Sequence, residues 1–488
     1  MPGAATALQH QSAAPEARRR ERRRRHLVAV VMVLYLLVIA EGSIRKWLLP
    51  EYSQVLFFIR DPVLLYAYLY AARHGLWPSR SGWLQLAWAM AVLGVVLVAV
   101  QAAVGGASDT RLLLGVYGWR SYFLYLPLVF LVGAQFEPAD LRRLLRWTLV
   151  LALPVAVLVA WQFSSPIDAP INVGSASEVG QQFRGVGLNA ERTRPMGPFS
   201  SGAGQQQFVA SACALLLAAF IAQPTARLAP RWLLPLAAAA LGTCLALSGS
   251  RGTVLQSGLC LAFALALVVV GRGTGVKLRA VVWPLSLAAA GVILYPVVYP
   301  EGFASFVERW TTAAEVESGF TGGIFGRALF GFVDFVRLID QVPALGYGLG
   351  YGGNASILLR AQVDGIEPGK LAETDFARHM VDLGPALGMA FIAFRVCLTG
   401  WLLRRVWRAT RHTPDPLPMM LFGYVAYVLL LGQITGQGAI NFYGWLFTGL
   451  CIAATRHAGV AASRTARRRA EPSPLRQTMA VRPAAVAQ

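Results

Sequence analysis

Charged side chains stand at the ends of apolar runs in this chain, where they could do chemistry. The segment 248–253, Ser-Gly-Ser-Arg-Gly-Thr, joins two strongly apolar runs. Gly249 and Gly252 suit a tight turn, but a turn has no need of Arg251. A guanidinium at a membrane edge can bind a phosphate through two parallel hydrogen bonds. Arg251 is therefore a candidate phosphate ligand, and the alternative is an arginine that extends to lipid headgroups.

A second basic motif, Arg-Thr-Arg-Pro-Met-Gly-Pro-Phe-Ser-Ser, occupies 192–201 and precedes another apolar run. Pro195 and Pro198 stiffen the chain, because each proline restricts its own backbone. Arg194 adds positive charge at the same edge. The motif predicts either part of an anion site or a rigid loop that returns the chain to the membrane.

The segment 372–379, Ala-Glu-Thr-Asp-Phe-Ala-Arg-His, leads into a late apolar run. Glu373 and His379 are of types that act as general bases, and Arg378 adds a cation beside them. The alternative is an ordinary helix start, where acidic residues are favoured. Arg120 and Arg395 lie inside apolar runs, so each is a candidate functional charge.

Further charges stand near the start of the chain, beside its first two apolar runs. They are Glu41, Arg45 and Lys46 in one segment, and Arg60 and Asp61 in the next. We expect them either to pair with each other as structural clamps or to add cations to the same site.

The elements that must position these residues are membrane helices. With 56% hydrophobic and 14% charged residues, the 488-residue chain is too apolar for a soluble globule. Its apolar runs approach the roughly 20 residues that a helix needs to cross a bilayer. We predict an all-α polytopic bundle of about twelve transmembrane helices. The predicted spans are 27–49, 55–72, 83–104, 119–136, 147–163, 205–222, 232–248, 253–271, 280–298, 378–398, 417–434 and 439–455.

The net charge of +20 is concentrated in both tails and in alternate loops. This distribution follows the positive-inside rule and predicts that both chain ends are cytoplasmic. It favours contact with anionic lipid over nucleic acid. We predict basic, disordered cytoplasmic tails at 1–26 and 457–488, with a membrane domain at 27–456 between them.

Two long outer loops are predicted, at about 164–204 and 299–377. In the second, charges at 327, 334 and 337 fall on one helical stripe, which predicts an amphipathic helix on the membrane surface. The glycine-rich segment 345–354 lacks the Lys and Ser/Thr of a nucleotide loop, so it is either a tight turn or a close backbone approach to a ligand. The five cysteines lie in spans and show no metal or disulfide spacing.

The order of these motifs resembles that of the O-antigen ligase and polymerase superfamily of bacterial membrane glycosyltransferases. The resemblance rests on Arg-Pro-Met-Gly-Pro-Phe-Ser-Ser before a span, Ser-Gly-Ser-Arg-Gly between spans, and a large outer loop. That loop contains Arg327 and Pro-Ala-Leu-Gly-Tyr-Gly-Leu-Gly, and a charged span entry follows it. The resemblance covers about residues 190–400.

The resemblance implies transfer of a glycan from undecaprenyl diphosphate to an acceptor hydroxyl on the extracytoplasmic face of the bacterial cytoplasmic (inner) membrane. It implies no cofactor, metal or nucleotide sugar. The implied partners are the lipid-linked oligosaccharide, the bilayer, a chain-length regulator and other polysaccharide assembly proteins. Carried onto this sequence, it assigns Glu373 as the base, with His379 second. The diphosphate ligands would be Arg251, Arg194, Arg378 and Arg327.

One departure from the family concerns the charged span entry. Many members carry a His-Asn pair there, where this chain has Ala-Glu-Thr-Asp-Phe-Ala-Arg-His. We therefore expect a polymerase of exopolysaccharide or O-antigen repeat units rather than an O-antigen ligase. The alternatives from other classes are a lipid-linked glycan transporter or flippase and a non-catalytic scaffold. The transporter fits less well, because transporters concentrate polarity at mid-bilayer.

Overall fold

The computed structural model describes residues 3–78, 81–104, 108–174, 185–186, 192–222, 227–271, 278–316, 327–353, 372 and 374–470. The predicted all-α class is confirmed, since most residues in these ranges are helical. The regular structure within them that is not helical is one short antiparallel pair, β1 (Gly185–Val186) with β2 (Arg192–Thr193).

The first half of the chain forms seven α-helices within the described ranges. They are α1 (Gly3–Ser43), α2 (Ser53–Leu56), α3 (Arg60–Arg73), α4 (Gly82–Val104), α5 (Asp109–Trp119), α6 (Leu128–Gln135) and α7 (Pro138–Ser164). Two π-helical turns, Ile44–Leu48 and Arg120–Leu124, follow α1 and α5. Short 3₁₀ turns occupy Pro50–Tyr52 and Pro170–Asn172.

The second half adds nine α-helices in the part that the structure describes. They are α8 (Gly202–Ala222), α9 (Leu233–Leu247), α10 (Arg251–Val270), α11 (Leu278–Val298), α12 (Pro300–Val316), α13 (Arg327–Val333), α14 (Asp375–His412), α15 (Leu417–Leu431) and α16 (Gly438–Ala470). A 3₁₀ turn, Asp334–Leu338, continues α13.

Nine helical segments among the described residues are long and apolar enough to cross a membrane, which supports a polytopic helical bundle. Two further apolar helices, α9 and α15, are shorter. The predicted span 119–136 is broken between the π turn and α6, where Pro127 has no N–H to continue a helical ladder. The count of about twelve spans stays a prediction.

The centre of the bundle is formed by α8 and α16, whose residues are mostly buried. Small residues permit close helix packing here. Gly449 of α16 lies against Val129 and Val132 of α6, and Gly133 of α6 lies against Ile452. In contrast, α11 exposes most of its apolar side chains, as expected of a helix that faces lipid.

Parts of both predicted tails are helical. Residues from Gly3 onward belong to α1, and α16 continues to Ala470. Residues 471–488 lie outside the described residues, and the disorder of the tails stays a prediction. Side-chain contacts hold both helices next to the predicted membrane domain. Arg24 of α1 donates to Gln135 O and Asp140 Oδ2, at 2.8 and 2.5 Å. Arg456 of α16 donates to Phe136 O at 2.6 Å. Both ends therefore meet the α6–α7 connection at the same end of the bundle.

The helix α14 is not the straight span that the sequence predicted, because it reverses direction at Gly384. This glycine has φ 77° and ψ 171°, outside the helical region, and Pro385 follows it. The rings of His379 and Phe391 are 4.8 Å apart between centroids, and Gly388 lies against the His379 carbonyl. We call 375–383 the short arm and 385–412 the long arm.

The predicted amphipathic surface helix at 326–340 is also corrected in part. In place of one helix there is the seven-residue α13, followed by a 3₁₀ turn. Asp334, expected on a charged outer stripe, is buried and accepts hydrogen bonds from Arg337 and Thr374. The exposed side chains here include the apolar Val333 and Val336.

Candidate functional site

Buried charges gather at the end of the bundle opposite to the chain ends. This end contains the C-terminus of α1, the N-termini of α3 and α16, and the short arm, and we call it the polar end. Burying a charge is costly unless it is paired and hydrogen-bonded, so each of these groups needs a partner. The buried charged residues here are Glu41, Arg45, Lys46, Arg60, Asp61, Arg120, Asp375, Arg378, Asp382 and Arg395.

Asp375, at the start of the short arm, binds two arginines. Its Oδ2 accepts from Arg395 Nη1 at 2.5 Å, and its Oδ1 from Arg378 Nη1 at 3.2 Å. The backbone N–H of Ile434 and the hydroxyl of Thr435 also donate to it, at 3.1 and 2.9 Å. A carboxylate so fully hydrogen-bonded is stable although buried. It positions both guanidinium groups.

Arg395 and Tyr122 determine which nitrogen of His379 carries the proton. Arg395 Nη1 can only donate, so the Nε2 atom of His379, 2.8 Å away, must accept. The proton of the neutral ring therefore lies on Nδ1 and is donated to the Tyr122 hydroxyl at 2.9 Å. That hydroxyl donates in turn to Asp382 Oδ2 at 3.0 Å. A directed chain of hydrogen bonds thus runs from Arg395 of the long arm through His379 and Tyr122 to Asp382 of the short arm.

The glycine-rich segment 345–353 completes this chain. The N–H of Gly352 donates to Asp382 Oδ1 at 2.6 Å. Gly350, with φ 86°, places its backbone directly against Gly118 of α5, leaving no space for a side chain on either residue. In this structure, the close backbone approach is to α5 and the short arm.

A second buried network joins the ends of α1 and α3. Glu41 accepts from Arg45 Nη1 at 3.0 Å and pairs with Arg60 Nε at 2.8 Å. Asp61 pairs with Arg120, whose Nη2 is 3.0 Å from Oδ1, and accepts from the Tyr125 hydroxyl at 2.6 Å. The pair of Glu41 with Arg60 agrees with the predicted clamps, whereas the pair of Asp61 with Arg120 was not predicted.

The connection between α15 and α16 lies between the two networks. On one side Arg60 Nη1 donates to Gly438 O at 3.3 Å, and on the other the guanidinium of Arg378 lies against Gly436. Arg60 and Arg378, each paired with a carboxylate, therefore flank this connection on its two sides.

Arg194 lies in a separate part of the polar end, just after β2. It lines a small cavity, with space for about one water molecule, together with Lys46. Lys46 Nζ donates to Gly197 O at 2.8 Å, and Gly197 N donates to Gln162 Oε1 at 2.7 Å. The segment after Arg194 is therefore held rigidly, and the guanidinium itself lies beside Gly202 at the start of α8.

Arg251 is the first residue of α10. Gly249, with φ 55°, makes the preceding turn, and Ser250 caps the helix by accepting from Thr253 N at 3.3 Å. Gly252 lies against the side chain of Gln206 on α8. Arg251 is partly exposed, and the contact of Gly252 with Gln206 indicates that the start of α10, like Arg194, lies beside the N-terminal turns of α8.

The side chains of the other two predicted site residues, Glu373 and Arg327, are not described by the structure. Glu373 lies outside the described residues. Of Arg327 only the backbone is described, as the first residue of α13. Of the six site residues predicted from sequence, the structure thus brings Arg378 and His379 together in the short arm and places Arg194 and Arg251 beside α8.

Sequence reasoning missed Tyr122 and the pairing of the two intramembrane arginines. Arg120 pairs with Asp61, and Arg395 with Asp375. The first pair could have been predicted, since Asp61, beside Pro62, and Arg120, inside an apolar run, each require a partner of opposite charge. In the described part of the chain, no three His, Cys, Asp or Glu side chains are grouped as metal ligands.

Comparisons of the chain with models of known protein families, with curated proteins and with solved structures found no match. The function must therefore be argued from the residues of the polar end.

Proposed function

We propose that the protein is a polyprenyl-diphosphate-dependent membrane glycosyltransferase that polymerises glycan repeat units on the outer face of the bacterial cytoplasmic membrane. The observation that supports this most is the polar end, where buried arginines gather at one end of a membrane bundle. A substrate anchored by a polyprenyl chain holds its diphosphate at the membrane surface, where cations at one end of the bundle would meet its charge.

The proposed topology has about twelve spans, with both chain ends in the cytoplasm. The contacts of Arg24 and Arg456 with the α6–α7 connection are compatible with one side for both ends, since they lie at the end of the bundle opposite to the polar end. The basic residues near both ends favour the cytoplasmic side. The polar end would then face outward.

In the proposed reaction, the acceptor hydroxyl attacks the anomeric carbon of the lipid-linked glycan. A carbon–oxygen bond forms, the bond to the diphosphate breaks, and negative charge grows on the departing diphosphate. Preorganised cations stabilise such charge most effectively. We assign this role first to Arg251, which is partly exposed at the head of α10, and then to Arg194, Arg378 and Arg327.

The proton of the acceptor hydroxyl must pass to a base. We assign Glu373 first and His379 second. Both ring nitrogens of His379 are engaged, Nε2 by Arg395 and Nδ1 by Tyr122, which supports this order. His379 could accept a proton at Nε2 only after Arg395 had moved.

The test is chain extension by the purified protein in liposomes that contain a lipid-linked oligosaccharide. Arg251→Ala should abolish extension while the protein stays folded. Arg404→Ala, at an exposed position on the long arm, is the matched control and should extend normally. Glu373→Gln and His379→Ala then decide the base. Normal polymer length from Arg251→Ala would refute the site assignment.

The same assay separates the alternatives. Longer lipid-linked products support a polymerase, and transfer of the glycan to an added lipid A core indicates an O-antigen ligase. Movement of the oligosaccharide across the membrane without extension indicates a transporter or flippase, and would refute the enzyme.

A further inference from the structure

The 3₁₀ turn Asp334–Leu338 and the residues beside it expose a row of large apolar side chains. In a 3₁₀ turn, residues three apart fall on the same face. Val333, Val336 and Ile339 have this spacing, and they are 48%, 53% and 38% exposed. Phe332, which precedes them, is 39% exposed. We call these four residues the apolar stripe.

The polar group of this turn points inward instead. Asp334 is buried, pairs with Arg337 and accepts a hydrogen bond from the Thr374 hydroxyl at 3.3 Å. Phe335 also turns inward, and its ring lies 6.2 Å from that of Phe376 in the short arm. In water, aliphatic side chains would turn inward and a carboxylate outward. The observed arrangement therefore favours apolar surroundings on the outer side of the turn.

Both ends of the segment 331–345 are fixed to the ends of membrane helices. Gly331, just before the apolar stripe, lies against Leu431, the last residue of α15. Beyond the stripe, Ala344 lies against Gly384, where the long arm begins. The segment thus bridges the ends of two apolar helices, and this position places it at the edge of the membrane.

The surface next to this bridge is that of a membrane span. The long arm belongs to a segment that is apolar enough to cross a membrane, and Met389 and Val396 on it are 41% and 45% exposed. Met389 follows Gly384 by five residues, or about 8 Å along a helix. Lipid that surrounds the long arm therefore reaches close to the end of the segment 331–345.

We propose that the apolar stripe inserts into the leaflet at the polar end and anchors the segment 331–345 to lipid. Its aliphatic side chains suit acyl chains, and the exposed Asp340 and Gln341 that follow suit the headgroup layer. Arg337 is paired with Asp334, so it brings no uncompensated charge to the lipid. Four half-exposed side chains offer far less than the roughly 1,000 Å² of a stable protein interface, whereas lipid needs no minimum area.

The anchor also determines where the short arm lies. Thr374, which caps the short arm by accepting from Ala377 N at 3.2 Å, is the residue that donates to Asp334. The apolar stripe lies on one side of the turn and the short arm on the other. Contact of the stripe with lipid therefore keeps the charges of the short arm near the headgroup layer.

Spin-label accessibility in lipid nanodiscs tests the insertion. The background carries Cys397→Ser, which removes the exposed native cysteine, and serves as the labelling blank. Nitroxide labels are attached after Val336→Cys and Ile339→Cys. Gln341→Cys is the matched water-facing control on the same segment, and Val292→Cys, 73% exposed on α11, is the lipid reference. Power saturation measures the access of oxygen, which concentrates in lipid, and of a water-soluble nickel chelate.

We expect the ratio of oxygen to nickel accessibility at positions 336 and 339 to be severalfold higher than at 341 and to approach that at 292. Two results would overturn the anchor. High nickel accessibility at 336 and 339 means that the stripe faces water, and low accessibility to both reagents means that protein covers it. The measurement involves no glycan, so its outcome is independent of the proposed function.

Val336→Asp gives a second test that needs no label. A carboxylate at this position would lose its hydration in lipid, so the variant should melt several degrees below the wild type in nanodiscs. Gln341→Asp adds the same charge in the headgroup layer and should melt as the wild type does. Equal melting temperatures for the two variants would contradict insertion of the stripe.

Discussion

Arg395 Nη1 lies 2.5 Å from Asp375 Oδ2, although the two residues are 20 positions apart within α14. In a straight helix they would be separated by about 30 Å. The same guanidinium donates to Leu429 O and Gly432 O, at 2.8 and 3.0 Å. These carbonyls lie at the C-terminus of α15, where a helix leaves its last carbonyls without helical partners. One side chain of the long arm thus joins the short arm to the C-terminus of α15.

Asp375→Leu should destabilise the protein by about 3–5 kcal/mol, because it leaves the buried Arg395 without its carboxylate. Thermal unfolding in detergent, followed by tryptophan fluorescence, measures the loss. Arg404→Leu, on the exposed side of the long arm, should change stability by less than about 0.5 kcal/mol. Equal melting temperatures for both variants would contradict the role of the ion pair.

Gly384→Ala should prevent the reversal of α14. A β-carbon there meets the carbonyl of Ala344, and the conformation of φ 77°, ψ 171° is essentially restricted to glycine. We expect destabilisation by at least about 1–3 kcal/mol, seen as a lower yield of monodisperse protein and a lower melting temperature. Gly400→Ala, in open space on the long arm, should be neutral or stabilising. The reversal would be unimportant if the two alanine variants behaved alike.

Tyr122→Phe should cost about 1–3 kcal/mol, since it removes the acceptor of the His379 Nδ1 proton and a donor to Asp382. If the short arm serves glycosyl transfer, chain extension should fall as well. Tyr427→Phe is the control, because the Tyr427 hydroxyl has no hydrogen-bond partner in the described part of the chain. A Tyr122→Phe protein with wild-type stability would argue against the hydrogen-bond chain.

Reporter fusions test the direction of the bundle. Alkaline phosphatase, which is active only outside the cytoplasm, should be active when fused after Val173, on the segment that borders the polar end. Fluorescent protein should fluoresce when fused to either chain end, because both ends are predicted to be cytoplasmic. Active phosphatase at a chain end would reverse the proposed orientation, and with it the side on which the site lies.

Local patterns predicted part of the arrangement at the polar end. The charges at the ends of the first two spans were expected either to pair with each other or to add cations to one site, and Glu41 pairs with Arg60. The reversal at Gly384 was missed although Gly-Pro stands in the sequence, since such a pair can also kink a continuous helix. The orientation of Asp334 was missed because a charge on a helical stripe was assigned to water, whereas Thr374 lies close enough to bond it.

The sequence by itself determined that the chain is a bundle of membrane helices with charges at their ends, because apolar runs and charge asymmetry are local properties that lipid and water select. Only the tertiary structure decided which charges meet. Arg395 reaches Asp375 through a reversal of α14, and Asn172 and Thr193 line one cavity beside Gln162 of α7. Such contacts depend on how segments distant in sequence pack, and no local pattern specifies them.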